Sequence, residues 1–286
     1  MKKYIKLMRI HHYMKNLLVF AALACSGQFF YLKKLGLGFL SFLAFCTISS
    51  VIYIVNDIRD KDYDKNHPTK CNRPIASGAV TVKNAVILAV ILFLIAAVCN
   101  YFICDAIATG LLILYFVLNI AYSFGLKNIP IVDVTILSAG FLIRIMYGAF
   151  ATGISVSNWL YLTVVSIAFY FSLGKRRNEL KKLGEHDTRK VLKEYSLGFL
   201  DKSMSICLTL AIAFYALWSM DSKTESLYNS RYLVLTVPIV LLITMKYNLN
   251  IEGDSDGDPV EVLIHDKVLL TLCLLYFAVM FCVLYL

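Results

Sequence analysis

Three aspartates, Asp57, Asp60 and Asp64, stand at the polar end of a long apolar run, in SSVIYIVNDIRDKDYDKNHPTKCNRPIASG. Taken as a continuation of that run, they are spaced i, i+3, i+7, which is one face of a helix. Asn56 and Tyr53 lie at the edge of the same face. Several carboxylates on one face repel each other unless a cation joins them. An all-oxygen set of this kind suits Mg²⁺, which keeps several waters and takes substrate phosphates as further ligands. Asn56, Asp57, Asp60 and Asp64 are therefore candidate metal ligands. The competing reading is a solvated helix end steadied by local pairs such as Asp57–Lys61. Five cations, Arg59, Lys61, Lys65, Lys70 and Arg73, are threaded between and after the acids.

Other metal chemistries find no support. The histidines His11, His12, His67, His186 and His265 are scattered, without HExxH spacing. Of eight cysteines, only Cys71 falls in a polar loop, and no CxxC pair is present, so neither a zinc site nor a disulfide framework is indicated. The other cysteines read as small packing residues.

The elements that must position the acids are apolar. Hydrophobic residues make up 59% of the 286 positions, and the mean hydropathy is +0.70. Apolar runs of 17 or more residues read as membrane spans. Nine are predicted, at 16–32, 36–56, 82–102, 105–122, 131–151, 157–174, 203–221, 230–247 and 266–286. The expected fold is all-α, one polytopic membrane domain over 1–286. The basic N-terminus, MKKYIKLMRIHHYMKN, leads into an apolar run but no small-residue cleavage site follows, so it reads as a retained end. With the N-terminus inside, only Lys33, Lys34, Lys223 and Arg231 of the 28 Lys and Arg residues fall on outer links, and Arg144 falls within a span. That bias predicts a cytoplasmic N-terminus in a cell (inner or plasma) membrane. All three long charged links then share the cytoplasmic face with the acids.

Together these segments resemble a known family. N-D-x-x-D-x-x-x-D at the cytoplasmic end of the second span, followed by NRPIASG, resembles the UbiA superfamily of membrane-embedded prenyltransferases. RIHHYMKNLL is similar to that superfamily's R-x-x-x-x-x-K-N lead into span one, here Arg9, Lys15 and Asn16. HPTKCNRPIASG, YSFGLKNIPIVDVTILSAGFLIRIMYGAFATG and FSLGKRRNEL resemble the decaprenyl-phosphate phosphoribosyltransferase branch. The resemblance covers nearly the whole chain, with its motifs in order. It implies a UbiA-type bundle of about nine helices and a Mg²⁺-dependent transfer of 5-phosphoribosyl from phosphoribosyl diphosphate (PRPP) to a polyprenyl phosphate. The implied partners are those two substrates and the bilayer, with no nucleic acid; the oligomeric state stays open.

One departure separates branches. Aromatic prenyltransferases of this superfamily carry a second aspartate-rich motif after span six, whereas here that place reads GKRRNELKKLGEHDTRK. A cationic wall suits a phosphate held without a second metal; the bland alternative is a topology signal, favoured for Lys181 and Lys182. The runner-up function is a UbiA-type prenyltransferase using a prenyl diphosphate and an aromatic or other acceptor, and the basic loop argues against it.

The implied site assigns roles residue by residue. Asp57, Asp60, Asp64 and Arg73 are the catalytic set. Lys15, Asn16, Tyr53, Lys70, Arg73, Lys175 and Arg176 are expected on PRPP and its diphosphate, and Tyr122, Lys127 and Arg144 on the lipid phosphate. Arg144 and Asp133 lie eleven residues apart on one helix, about 16 Å by helix rise, too far to pair directly. Each should meet a different polar partner. For Arg144 a substrate phosphate and an acid of another span are both open. Asp254, Asp256 and Asp258 resemble the start of a calcium loop but lack its twelve-residue frame, and read as a polar loop or lid.

Overall fold

The structure, a computed structural model, describes residues 2–65, 70–182, 190–228, 230–252, 262, 263 and 265–285. No strand occurs among the described residues. In hydrocarbon every backbone N–H and C=O must be satisfied internally, and a helix does this within one segment. Seven helices among the described residues are long and apolar enough to cross a membrane. The two remaining predicted spans take other forms. The run 16–32 folds as a 3₁₀ segment, Ile10–Phe20, and a short helix, Ala21–Ala24, and reaches the left-handed Gly27. The run 157–174 is the first part of a helix, Asn158–Lys182, less apolar for its Asn, Tyr and Ser residues and continuing through Lys175, Arg176 and Arg177. Asp254, Asp256 and Asp258, read from the sequence as a polar loop or lid, lie outside the described residues.

The backbone divides into two compact units. The first comprises Met1–Ala24, Gln28–Phe124 and Ile143–Ser155. It holds α1 (Lys2–Met8), the 3₁₀ segment, α2 (Ala21–Ala24), α3 (Leu32–Arg59), α4 (Lys61–Lys65), α5 (Val82–Ile103), α6 (Ala106–Ser123) and the later part of α7 (Val132–Thr152). Helix α3 is its axis, buried almost without interruption from Ala44 to Ile54. Leu7 of α1 is fully buried in a cluster with Val51, Ile54, Ile75 and Val80. This cluster presses α1 and the NRPIASG loop onto the end of α3. The 3₁₀ segment lies directly on α7: a Cβ at Gly148 would sit 1.8 Å from the Val19 carbonyl oxygen, so only glycine permits the approach. Thr81 and Asp105 cap α5 and α6, accepting from the backbone N–H groups of Asn84 and Ala108.

The second unit comprises Cys25–Gly27, Gly125–Leu142 and Val156–Leu286. It holds the earlier part of α7, then α8 (Asn158–Lys182), α9 (Leu197–Ser219), α10 (Ser222–Tyr228), α11 (Val237–Glu252) and α12 (Lys267–Tyr285). Ser196 starts α9 ahead of its apolar run by accepting from Phe199 N–H at 3.1 Å. The core joins Tyr170, Leu173, Leu192, Leu200, Ile251 and Leu269. In both units large apolar side chains such as Val90, Leu94, Leu274 and Phe277 remain exposed on the spans, as lipid-facing surfaces require.

Candidate active site

The acid face forms where α3 gives way to α4. Helix α3 ends at Arg59, and Asp60 caps it, but the i to i+4 ladder carries on: Asp60 N–H donates to the Asn56 carbonyl at 2.9 Å and Asp64 N–H to the Asp60 carbonyl at 2.8 Å. This near-continuity keeps Asp57 and Asp64 on one side. Both carboxylates are buried, and both meet the same guanidinium nitrogen: Arg73 Nη1 lies 2.6 Å from Asp64 Oδ2 and 3.3 Å from Asp57 Oδ1. Asp60 is half-buried and takes both Nε and Nη2 of Arg59 on its Oδ1, at 2.9 and 2.7 Å. Asp62 turns outward to Lys65.

Two loops deliver the arginines. After Pro74 the chain folds on itself, with Ser77 N–H donating to the Arg73 carbonyl at 2.9 Å and Val80 N–H to the Pro74 carbonyl at 2.8 Å. Buried Ile75, Ala76 and Val80 anchor this fold, and Gly78 takes the left-handed φ of 74° that closes it. Arg73 is thereby aimed at the acids. From the other side comes Arg9, whose Nη2 lies 2.6 Å from Asp57 Oδ1. Its guanidinium carbon sits 4.9 Å from the Tyr53 ring centroid. Sequence reasoning placed Arg9 only in the family-like lead into span one and gave it no role at the acids. Its spacing of six residues before Lys15 was the available signal. Lys70 lies beside the acid segment, with Nζ 5.8 Å from the centre of the Tyr63 ring. Lys15 and Tyr122 are partly exposed residues of the same unit.

Deeper in the first unit, Arg144 is buried. Its Nε donates to Asn16 Oδ1 at 2.9 Å and its Nη2 to Tyr115 OH at 2.8 Å, and it lies over the rings of Tyr115 and Phe45. Asn16, itself 1% exposed, also donates from Nδ2 to Cys46 Sγ. An amide and a phenol therefore engage the cation for which a phosphate or an acid was expected. Tyr115 carried no signal in the sequence, because a tyrosine in an apolar span most often packs.

The remaining expected residues belong to the second unit. Lys127 and Lys175 are partly exposed. Arg176 has no exposed surface. Its Nε donates to Asp133 Oδ2 and its Nη1 to Glu179 Oε2, both at 2.5 Å. Tyr195 OH donates to the other oxygen of Asp133 at 2.7 Å and accepts from Ile131 N–H at 2.6 Å. Burial, then the hydrogen bond to Asp133, pushes the Tyr195 phenol up to about 12, so it stays a donor throughout the physiological range. Asp133 thus meets a partner 43 residues away, and Arg144 a different one, as the eleven-residue spacing required.

Residues 17–256 match the UbiA prenyltransferase family. The chain belongs to that family. Among its UbiA relatives, a protein of Corynebacterium glutamicum named decaprenyl-phosphate phosphoribosyltransferase is 33% identical over 98% of this chain and 85% of its own. A protein of the same name from Mycobacterium tuberculosis is 31% identical over 96% of this chain and 91% of its own. Among solved structures, a UbiA homolog from Archaeoglobus fulgidus bound to GPP and Mg²⁺ superposes with a TM-score of 0.72 at 17% identity, covering 99% of each chain. That likeness establishes the UbiA fold.

The acid face of this UbiA chain is chemically suited to a hard divalent cation. Every candidate donor is an oxygen, and two carboxylates already converge on one positively charged nitrogen. As they stand, no three of the described His, Cys, Asp or Glu side chains are arranged around a metal, because Asp60 faces Arg59. Binding a cation there calls for Arg73 to yield its place and for Asp60 to turn.

Proposed function

We propose that the chain is a polyprenyl-phosphate phosphoribosyltransferase, moving 5-phosphoribosyl from PRPP to a polyprenyl phosphate such as decaprenyl phosphate and releasing diphosphate. Near-full-length relatives named decaprenyl-phosphate phosphoribosyltransferase carry the proposal. The acid face with its arginines supports it, since the reaction brings a soluble diphosphate to a lipid anion at a membrane surface.

Asn56, Asp57, Asp60 and Asp64 would hold Mg²⁺. When bound, the ion supplies neutralisation of the leaving diphosphate. The bond from the anomeric carbon to the diphosphate breaks, and its electron pair leaves with the diphosphate. A phosphate oxygen of the lipid forms the new bond from the opposite face, so inversion is expected. That oxygen is already ionised at neutral pH, so the reaction needs no general base. Arg9, Lys70 and Arg73 offer cations that orient the phosphates and offset repulsion between two anionic substrates. Lys15, Asn16, Tyr53 and, for the lipid phosphate, Tyr122 and Arg144 complete the assignment within the first unit. Lys127 and Lys175 keep their expected phosphate roles as residues of the second, whereas Arg176, expected on the diphosphate, is sealed on Asp133 and Glu179 and is left out of the assignment. The active site and N-terminus are assigned to the cytoplasmic face on the charge bias.

Purified protein is incubated with Mg²⁺, labelled PRPP and a polyprenyl phosphate. Label passing to the organic phase only when Mg²⁺ is present is the expected result. No transfer, with consumption instead of a prenyl diphosphate and an aromatic acceptor, replaces this reading by the runner-up.

A further inference from the structure

The three carboxylates of the acid face each meet an arginine: Asp57 meets Arg9 and Arg73, Asp60 meets Arg59, and Asp64 meets Arg73. Three negative and three positive charges leave the face neutral before any ligand arrives. Arg9 is the costly member. It adopts φ 54°, ψ 51°, a left-handed conformation that a non-glycine residue keeps only where its surroundings impose it. Here the surroundings are the buried Leu7 two residues earlier and Lys6, whose Nζ donates to the Asn72 carbonyl at 3.0 Å. Stacking on Tyr53 holds the guanidinium above the helix end. The chain is built so that Arg9 reaches Asp57.

A bare dication approaching this face meets no net attraction and must displace guanidinium groups from buried carboxylates. A diphosphate changes that balance, because it offers anionic oxygens to the displaced arginines in the bidentate geometry that guanidinium favours. We infer that Arg9, with Arg59 and Arg73, keeps the acid face from holding a divalent cation alone, so that the cation loads as a complex with the diphosphate. The inference rests on the metal–diphosphate reading above and adds an order of loading and a role for Arg9 as a positioning residue.

The test uses the full chain in detergent, with Mn²⁺ as the probe, and measures bound metal by equilibrium dialysis with and without inorganic pyrophosphate. Wild-type protein is expected to hold Mn²⁺ at least tenfold more tightly with pyrophosphate. Arg9→Gln removes one positive charge close to the dication and should tighten binding of Mn²⁺ alone roughly tenfold. Arg9→Lys keeps the charge and should behave as wild type. A gain in metal affinity is a change that structural damage does not produce. Should Arg9→Gln not fold, Arg59→Gln at the more exposed Asp60 carries the same expectation. Wild-type protein that binds Mn²⁺ equally tightly with and without pyrophosphate overturns the inference while leaving the metal site standing. A folded Arg9→Gln or Arg59→Gln with unchanged affinity for Mn²⁺ alone overturns it too. No bound Mn²⁺ in wild type or variants, with or without pyrophosphate, removes the metal–diphosphate reading and the inference together.

Discussion

Each unit of the molecule holds arginine–aspartate pairs made from the same groups at nearly the same distances, and they are built for different ends. In the first unit Asp57 and Asp64 are sealed at 2% side-chain exposure, but their partners Arg9 and Arg73 remain 19% and 25% exposed. In the second, Arg176 and Asp133 are both at 0%. There Tyr195 bonds the other oxygen of Asp133 and Glu179 takes a further N–H of Arg176. The first arrangement leaves its cations within reach of an incoming anion. The second closes every group on another protein group, which makes it a structural clamp between α7, α8 and the segment before α9. Burial of the cation, more than the presence of an ion pair, separates a site that can exchange partners from one that cannot.

The sharpest way to break this contrast is Asp133→Asn. It leaves Arg176 charged and sealed, and should lower stability by about 3–5 kcal/mol in thermal unfolding of the detergent-solubilised protein. Replacing both partners, Asp133→Leu with Arg176→Met, should recover most of that loss; a double variant as unstable as the single one denies the clamp. On the other side, Asp60→Asn should reduce turnover at least about a hundredfold with little change in melting temperature. A wild-type rate there would remove Asp60 from the site. Gly148→Ala should cost about 1–3 kcal/mol, since the Val19 backbone must move away from the new methyl group. The same shift should disturb the Asn16–Arg144 bond, which a melting curve and a turnover assay of one preparation can separate.

The smallest effect is expected for Tyr195→Phe, about 1 kcal/mol from the lost hydrogen bond to Asp133. Its pH dependence is more telling. The folded phenol titrates near 12 against an ordinary 10. The folded state therefore holds a proton that the unfolded chain releases, so this contribution is complete below pH 10 and is lost as pH rises toward 12. Wild-type protein should lose stability over that window faster than Tyr195→Phe; parallel curves would mean that the phenol is not sealed against Asp133.

Much of the architecture was legible because lipid narrows the choices. The predicted 82–102 and 105–122 became α5 and α6 within one residue at each end, because an apolar run flanked by Thr81 and Asp105 caps has one way to satisfy its backbone. The run 16–32, predicted as a span, folds as a 3₁₀ segment and a short helix, because apolar length does not register the 3₁₀ winding that the tight approach of Val19 to Gly148 accompanies. The acid spacing puts Asp57 and Asp64 on one side, where both meet Arg73 Nη1. It did not foresee that Asp60 would turn to its own neighbour Arg59, an i, i+1 contact that helix periodicity does not weigh.

By itself the sequence determined the all-helical spans, the clustering of acids and cations at the end of α3, and membership in the UbiA family. These follow from local rules, since apolar length and residue spacing act within a few turns of chain. Only the tertiary structure decided which partner each arginine meets: Arg9 with Asp57 across 48 residues, Arg176 with Asp133 across 43, and Arg144 with the amide of Asn16 across 128. Pairs of that separation depend on how helices pack, and packing selects among many cations of equal charge by distance and burial, neither of which is written along the chain.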